Sequence, residues 1–219
     1  VYPQGKVPLY KVTFQDGRES ICCDEHLWTV YDYQSREYKV LPLKELIKKG
    51  ISFTRSRNLN GKIRKSIIYN YYIPQCKPIE YNFDSSLDIR LDPYFLGLWL
   101  GDGTSRTASI TTQDGEIKNF ISTFAKKENI GLRIEDQENN TEVYHLTNGR
   151  GKDNNIFNLL REYKLIKNKH IPCQYKIASK EVRLAILQGL MDTDGTINSG
   201  GSDISFCNTN KILIDDVLE

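Results

Sequence analysis

The chain has 219 residues, enough for one large domain or two small ones, and 39% of them are hydrophobic, enough for a real core. Lys and Arg number 30 against 28 Asp and Glu, so a uniformly basic surface is excluded and any footprint for a polyanion must be local. No apolar run approaches the roughly 18 residues of a membrane span and no signal peptide is visible. The five cysteines (Cys22, Cys23, Cys76, Cys173, Cys207) are an odd number without a Cys-x-x-Cys, which points to reduced thiols and an intracellular protein, cytoplasmic, or nuclear in a eukaryotic or viral setting.

The first 50 residues read mostly as antiparallel sheet. Leu9–Phe14 alternates and is β-rich, Asp16-Gly17 signals a hairpin turn, and Glu19–Cys22 returns. Trp28–Tyr33 and Tyr38–Leu41 form a second pair across Gln34–Glu37. Pro42 starts a short helix with Leu43, Leu46 and Ile47 on one face, and Gly50 stops it. Within this region, Gly17-Arg-Glu-Ser-Ile-Cys-Cys-Asp-Glu-His26-Leu-Trp resembles the second block of the Hint (hedgehog/intein) splicing domain, a strand followed by Thr-x-x-His. His26 holds the histidine position, and Cys23 stands where the family has Thr. The resemblance implies that His26 assists the amide-to-thioester shift, a task suited to an imidazole titrating near neutrality. It leaves the role of Cys23 open, although a thiol can still donate weakly. Read by itself, a histidine such as His26 is more often a satisfied core or surface residue, and a zinc site on Cys22, Cys23 and His26 would need a second ligand pair that the sequence does not show.

Residues 51–72 carry Arg55, Arg57, Lys62, Arg64 and Lys65 and no acid, with a turn expected over Asn58–Gly61. Such a ribbon either lies along phosphates or is a solvated hairpin face. Ile73–Pro78 and Ser85-Ser86 read as a link between modules.

A second module begins at Leu91-Asp-Pro-Tyr94, with Asp92 as N-cap and Pro93 at the first helical position. The run Tyr94-Phe-Leu-Gly-Leu-Trp-Leu-Gly-Asp-Gly103 returns as Ile186-Leu-Gln-Gly-Leu-Met-Asp-Thr-Asp-Gly195, with Asp102 over Asp194, Gly97 over Gly189 and Gly101 over Thr193. Small residues four apart share a helix face and let two backbones approach, which would bring the two carboxylates together. Close carboxylates need a proton or a cation between them, and a hard divalent ion is the natural occupant. Between the copies, Thr104–Thr111 has hairpin composition, and Asp114 caps a helix facing inward through Ile117, Phe120, Ile121 and Phe124. Leu132–Ile134 and Val143–Leu146 pair across Gln137–Asn140, and Ile156, Leu159, Leu160 and Tyr163 mark another helix. After Gly195 comes a hairpin turning at Gly200-Gly201 and a helix capped by Thr209.

The duplicated motif resembles the two signature helices of the LAGLIDADG homing endonucleases, whose paired helices form a pseudo-twofold interface. The resemblance implies that Asp102 and Asp194 are catalytic metal ligands, with Mg²⁺ as cofactor and double-stranded DNA as target. Lys169, just before Ile171-Pro172, matches a basic position that lies near the scissile phosphates in the family; by its sequence alone it is also an ordinary loop lysine. The expected fold class is α+β: a partial all-β Hint domain with linker over 1–85, then a LAGLIDADG domain over 86–219 built from αββαββα repeats. The first repeat runs over about 86–178; the second, from 179, is incomplete. Both ends, Val1 and Glu219, are expected to be cut. The function expected is that of an intein fragment carrying a homing endonuclease, with host exteins as protein partners, no membrane, and a monomer made by an internal pseudo-dimer. The rivals are a free-standing intron-encoded LAGLIDADG nuclease or RNA maturase, and an inactive DNA-binding relic.

Overall fold

The computed structural model describes residues 5–59, 61–81, 87–137 and 141–219. The chain is a mixed α/β protein with several small sheets that divides into two units, Val1–Lys77 and Pro78–Glu219. Ser85, Ser86, Asn60 and Glu138–Asn140, assigned above to the link and to two turns, lie outside the described residues.

In the first unit, β1 (Leu9–Thr13) and β2 (Glu19–Cys23) form a hairpin in which Leu9 faces Cys23 and Thr13 faces Glu19. Its turn bends at Gly17, whose φ of 85° is the left-handed region that glycine enters without steric cost. β3 (Leu27–Asp32) and β4 (Glu37–Pro42) form the second hairpin. Asp32 opens its turn, accepting from the backbone N–H of Gln34 (3.0 Å) and Ser35 (3.2 Å) and from Lys39 Nζ (2.8 Å). The Lys39 ammonium, then the two N–H groups, pull its carboxyl down to about 2. α1 (Leu43–Lys49) follows, ending at Gly50. β5 (Ser52–Leu59) and β6 (Lys62–Tyr69) make a separate two-stranded ribbon, and β7 (Tyr71–Tyr72) pairs with β3 opposite β4. Among the described residues of this unit the buried apolar side chains are few: Cys22, Val30, Leu43 and Leu46.

The second unit is built on α2 (Pro93–Asp102). Asp92 accepts from Tyr94 N (3.0 Å) and Phe95 N (3.1 Å), satisfying two of the orphan donors at the helix start. The helix is apolar all round and is buried from Phe95 through Leu100, as such a helix must be in water. β8 (Ser109–Thr112), α3 (Gly115–Lys127), β9 (Leu132–Asp136), β10 (Glu142–Leu146) and α4 (Asn155–Glu162) follow, the strands ordered β8-β10-β9 and antiparallel. Asp114 caps α3, whose buried face is Ile117, Ile121 and Phe124; Phe124 stacks on Phe95 of α2 at 4.4 Å between ring centres. α5 (Cys173–Lys176) buries Tyr175, whose hydroxyl donates to Leu91 O (2.8 Å) and accepts from Leu91 N (3.1 Å). α6 (Lys180–Asp194), β11 (Gly195–Ile197), β12 (Ile204–Phe206) and α7 (Lys211–Leu218) complete the unit.

Two local expectations are corrected. Thr104–Thr111 is not a full hairpin: only β8 is a strand, joined back to Gly103 by one bridge to Ile110. The two arms do meet, Thr104 N donating to Ser109 O (2.8 Å), but Thr107 O accepts from the Trp99 indole (2.9 Å) and Ser105 O from Lys167 N (2.7 Å), so the pairing is a tight turn with one bridge and no longer ladder. The cap of α7 is Asn210, not Thr209; its carboxamide oxygen accepts from Ile212 N and Leu213 N, and Asn is the stronger N-cap.

Candidate functional site

α2 and α6 run side by side through their small residues. A Cβ added at Gly97 would sit 2.3 Å from Ile186 O, and one at Gly189 2.5 Å from Tyr94 O, so at these points backbone meets backbone. At the next turn Gly101 faces Thr193: a Cβ there would lie 2.0 Å from the Thr193 hydroxyl. That hydroxyl is folded back onto its own helix, donating to Leu190 O at 3.0 Å. Each helix ends on its aspartate and is capped by the following glycine. Neither cap is left-handed, with φ −73° at Gly103 and −87° at Gly195. Space is what demands glycine: an added Cβ would approach Trp99 O to 2.2 Å and Met191 O to 2.4 Å.

Pairing the helices brings Asp102 and Asp194 to one end, where two helix C-termini already concentrate partial negative charge. Neither helix has a basic residue in its last turn to offset this. The Asp102 side chain stands exposed above the packed helix end, and its carboxyl is raised above the ordinary value, first by partial desolvation and then by the charge of Asp194. Lys169 opposes both. Its ammonium donates to Gly101 O at 2.8 Å, filling one of the carbonyls a helix end leaves open, and lies over the Trp99 ring at 5.4 Å. Burial lowers the Lys169 pKa, against the pull of the two carboxylates. Asp102, Asp194 and Lys169, three of the four residues singled out in the sequence, thus share one site. His26 belongs to the first unit, exposed between β2 and β3, with its ring edge-on to Trp28 at 5.3 Å; Cys22 is buried and Cys23 half-buried beside it in the chain.

Two asparagines escaped the sequence reading. Asn208 Nδ2 donates to Asp194 Oδ2 at 2.6 Å, and Asn208 Oδ1 accepts from Asn210 N at 2.8 Å. Asn210 Nδ2 donates to Lys169 O at 2.7 Å, so one short chain of amides fixes both Asp194 and the backbone that carries Lys169. The Asn-Thr-Asn before an apolar run signals a helix start, but nothing local shows that its other amides turn toward a carboxylate on a different helix. Asp102 instead faces an open cleft of about 640 Å³ shared with Thr111, Gln113, Asp114, Asp192 and Thr193. Tyr94 donates its hydroxyl to Asp192, one of the lining carboxylates, at 2.6 Å, and desolvation followed by that carboxylate pushes the phenol well above its usual range.

Among the described residues no three His, Cys, Asp or Glu side chains converge, so no all-protein cage of the zinc type is built. Two carboxylates at an open helix end suit Mg²⁺, which takes one or two carboxylates and keeps water or phosphate oxygens for its other positions.

No family model matches the chain. It is 28% identical over 223 residues to the replicative DNA helicase DnaB of Mycobacterium intracellulare, an alignment covering 97% of this chain and 33% of the helicase. The chain therefore spans about a third of the length of the curated relative it matches. Among the described residues no helix is long and apolar enough to cross a membrane.

Proposed function

We propose that the chain is part of an intein carrying a LAGLIDADG homing endonuclease, and that its second unit cuts double-stranded DNA with a divalent ion held by Asp102 and Asp194. The observation that carries this reading is the pairing of two like-motif helices through Gly97, Gly101, Gly189 and Thr193, which sets one carboxylate from each at a common end. Such an ion supplies Lewis acidity and a more acidic bound water. The chain's own residues do the rest. Asn208 holds Asp194 in one orientation, and Lys169 offers a desolvated cation to negative charge developing on a phosphate.

The helicase alignment is consistent with a segment inserted into that protein. The chain has no Gly-x-x-x-x-Gly-Lys-Ser/Thr, so the similarity is not carried by a nucleotide-phosphate loop. On this reading the first unit is splicing-domain sheet, His26 serves the first acyl shift, and the exteins are the two sides of a replicative helicase.

The test is cleavage of an uninterrupted helicase gene in Mg²⁺, beside a gel shift. Asp102→Asn and Asp194→Asn each keep side-chain size while removing a charge, and each should slow cutting at least about 100-fold. DNA binding should persist, since phosphates are held by cations rather than by these carboxylates. Undiminished cutting by both variants would remove the two aspartates from the chemistry.

A further inference from the structure

The β5–β6 ribbon has a sidedness that its sequence does not display. Its register pairs Phe53 with Ile68, Arg55 with Ser66, Arg57 with Arg64 and Leu59 with Lys62, and directly opposed residues of an antiparallel pair share a face. Arg55, Arg57, Lys62 and Arg64 therefore all project from one face. The alternate face carries Ser52, Thr54, Ser56, Asn58, Ile63, Ile67 and Tyr69, with Lys65 as its one cation. Every residue from Ser52 through Leu59 and from Lys62 through Ile67 is exposed. None of the five cations reaches a carboxylate among the described residues, and Arg57 lies directly across from Arg64. Like charges opposed in this way weaken a strand pair, and a two-stranded ribbon is marginal to begin with. Four unneutralised cations concentrated on one side of so weak an element call for an external anion.

We propose that this face of the ribbon binds the phosphate backbone of duplex DNA. The inference rests on the DNA-cutting reading for the identity of the polyanion, and on the ribbon's own geometry for the contact. Same-face residues along a strand are spaced about 6.8 Å apart, which is two phosphate steps of about 3.4 Å along the duplex axis. Arg55 and Arg57 follow one strand at that spacing, and Arg64 and Lys62 follow the other. The other neighbours on this face, Phe53, Leu59, Ile68 and Ser66, offer a single hydroxyl between them, so the cations are assigned to phosphates, where they add affinity and register.

The experiment measures affinity of the whole chain for a duplex of unrelated sequence across a range of salt, with chelator present to prevent cutting. Arg57→Gln/Lys62→Gln/Arg64→Gln should make the plot of log affinity against log salt shallower by about 2 to 3, close to 0.9 for each phosphate no longer neutralised. Lys65→Gln, on the opposite face, should leave the slope unchanged. Circular dichroism of the triple variant should show the fold retained, because the change relieves repulsion. An unchanged slope in the triple variant, an equal effect per charge from Lys65→Gln, or preference for polyglutamate over DNA would each overturn the proposal. Cutting assays decide the nuclease reading separately. A chain that cuts with an unaltered slope keeps the nuclease and loses the ribbon; one that loses slope without ever cutting does the reverse.

Discussion

Asp102 shows what a partly desolvated carboxyl beside a second carboxylate costs a fold. Its carboxyl is raised above the usual 3.8, so between that value and its folded-state value the native chain binds more protons than the unfolded one. The stability tied to its protonated form is complete below about pH 3.8 and is lost as pH rises through the folded-state value. Asp102→Asn should therefore stabilise the metal-free protein at pH 7, by no more than about 1 kcal/mol given solvent screening of an exposed carboxyl, and the gain should vanish toward pH 3. Thermal melts of both proteins in chelator at the two pH values check this. Asp32 is the opposite case. With its pKa drawn down to about 2 by Lys39 and two turn amides, its contribution is present above about pH 4 and lost as pH falls toward 2. Asp32→Asn should lower the melting temperature at pH 7 and lose most of its effect at pH 2.

At the scale of elements, the helix pair decides whether a site exists. Replacing a helical glycine by alanine normally favours the helix by about 1 kcal/mol. At Gly97 and Gly189 the added methyl would meet backbone of the facing helix within 2.3 and 2.5 Å, and backbone at a packed crossing cannot yield. Gly97→Ala and Gly189→Ala should each destabilise the second unit by a net 1–3 kcal/mol or more in denaturant titration and, on the endonuclease reading, abolish cutting by separating the aspartates. Gly101→Ala differs in kind, because what it meets is the Thr193 side chain. The double change Gly101→Ala/Thr193→Gly should recover most of the lost stability, whereas no side-chain change opposite Gly97 should rescue Gly97→Ala. Recovery at both sites would mean that the helices are less closely held than these distances require.

At the scale of the whole molecule, the chain divides into two units; a large buried cluster forms around α2 in the second, and among the described residues of the first only Cys22, Val30, Leu43 and Leu46 are buried apolar side chains. On the intein reading the two chemistries are then separable. In a precursor containing complete splicing blocks, His26→Ala should slow the first acyl shift by about 100-fold or more, the usual contribution of a positioned acid–base group. It should leave DNA cutting within about 2-fold of the parent, since sites in separate units act independently. Parallel loss of splicing and cutting, with folding unchanged, would contradict the division of labour.

The sequence by itself determined what depends on neighbours a few residues apart. Hairpin turns such as the one at Gly17, the Asp92 and Asp114 caps, and the inward face of Ile117, Ile121 and Phe124 follow from local backbone preference and from the 2- and 3.6-residue periods. The duplicated Asp-Gly motif made the pairing of Asp102 with Asp194 legible as well, because a repeated small-residue stripe has few other uses. Only the tertiary structure decided the rest. Lys169 reaches Gly101 O, and Asn208 reaches Asp194, across chain separations that no period spans. The cap of α7 passed from Thr209 to Asn210 because the last turn of backbone before the helix is set by that same network. The cations of residues 55–64 became one face only once the strand register was known, since a shift of a single residue would have scattered them over both. These arrangements join one element to another, and their geometry is set by packing, to which the order of residues along the chain is only an indirect guide.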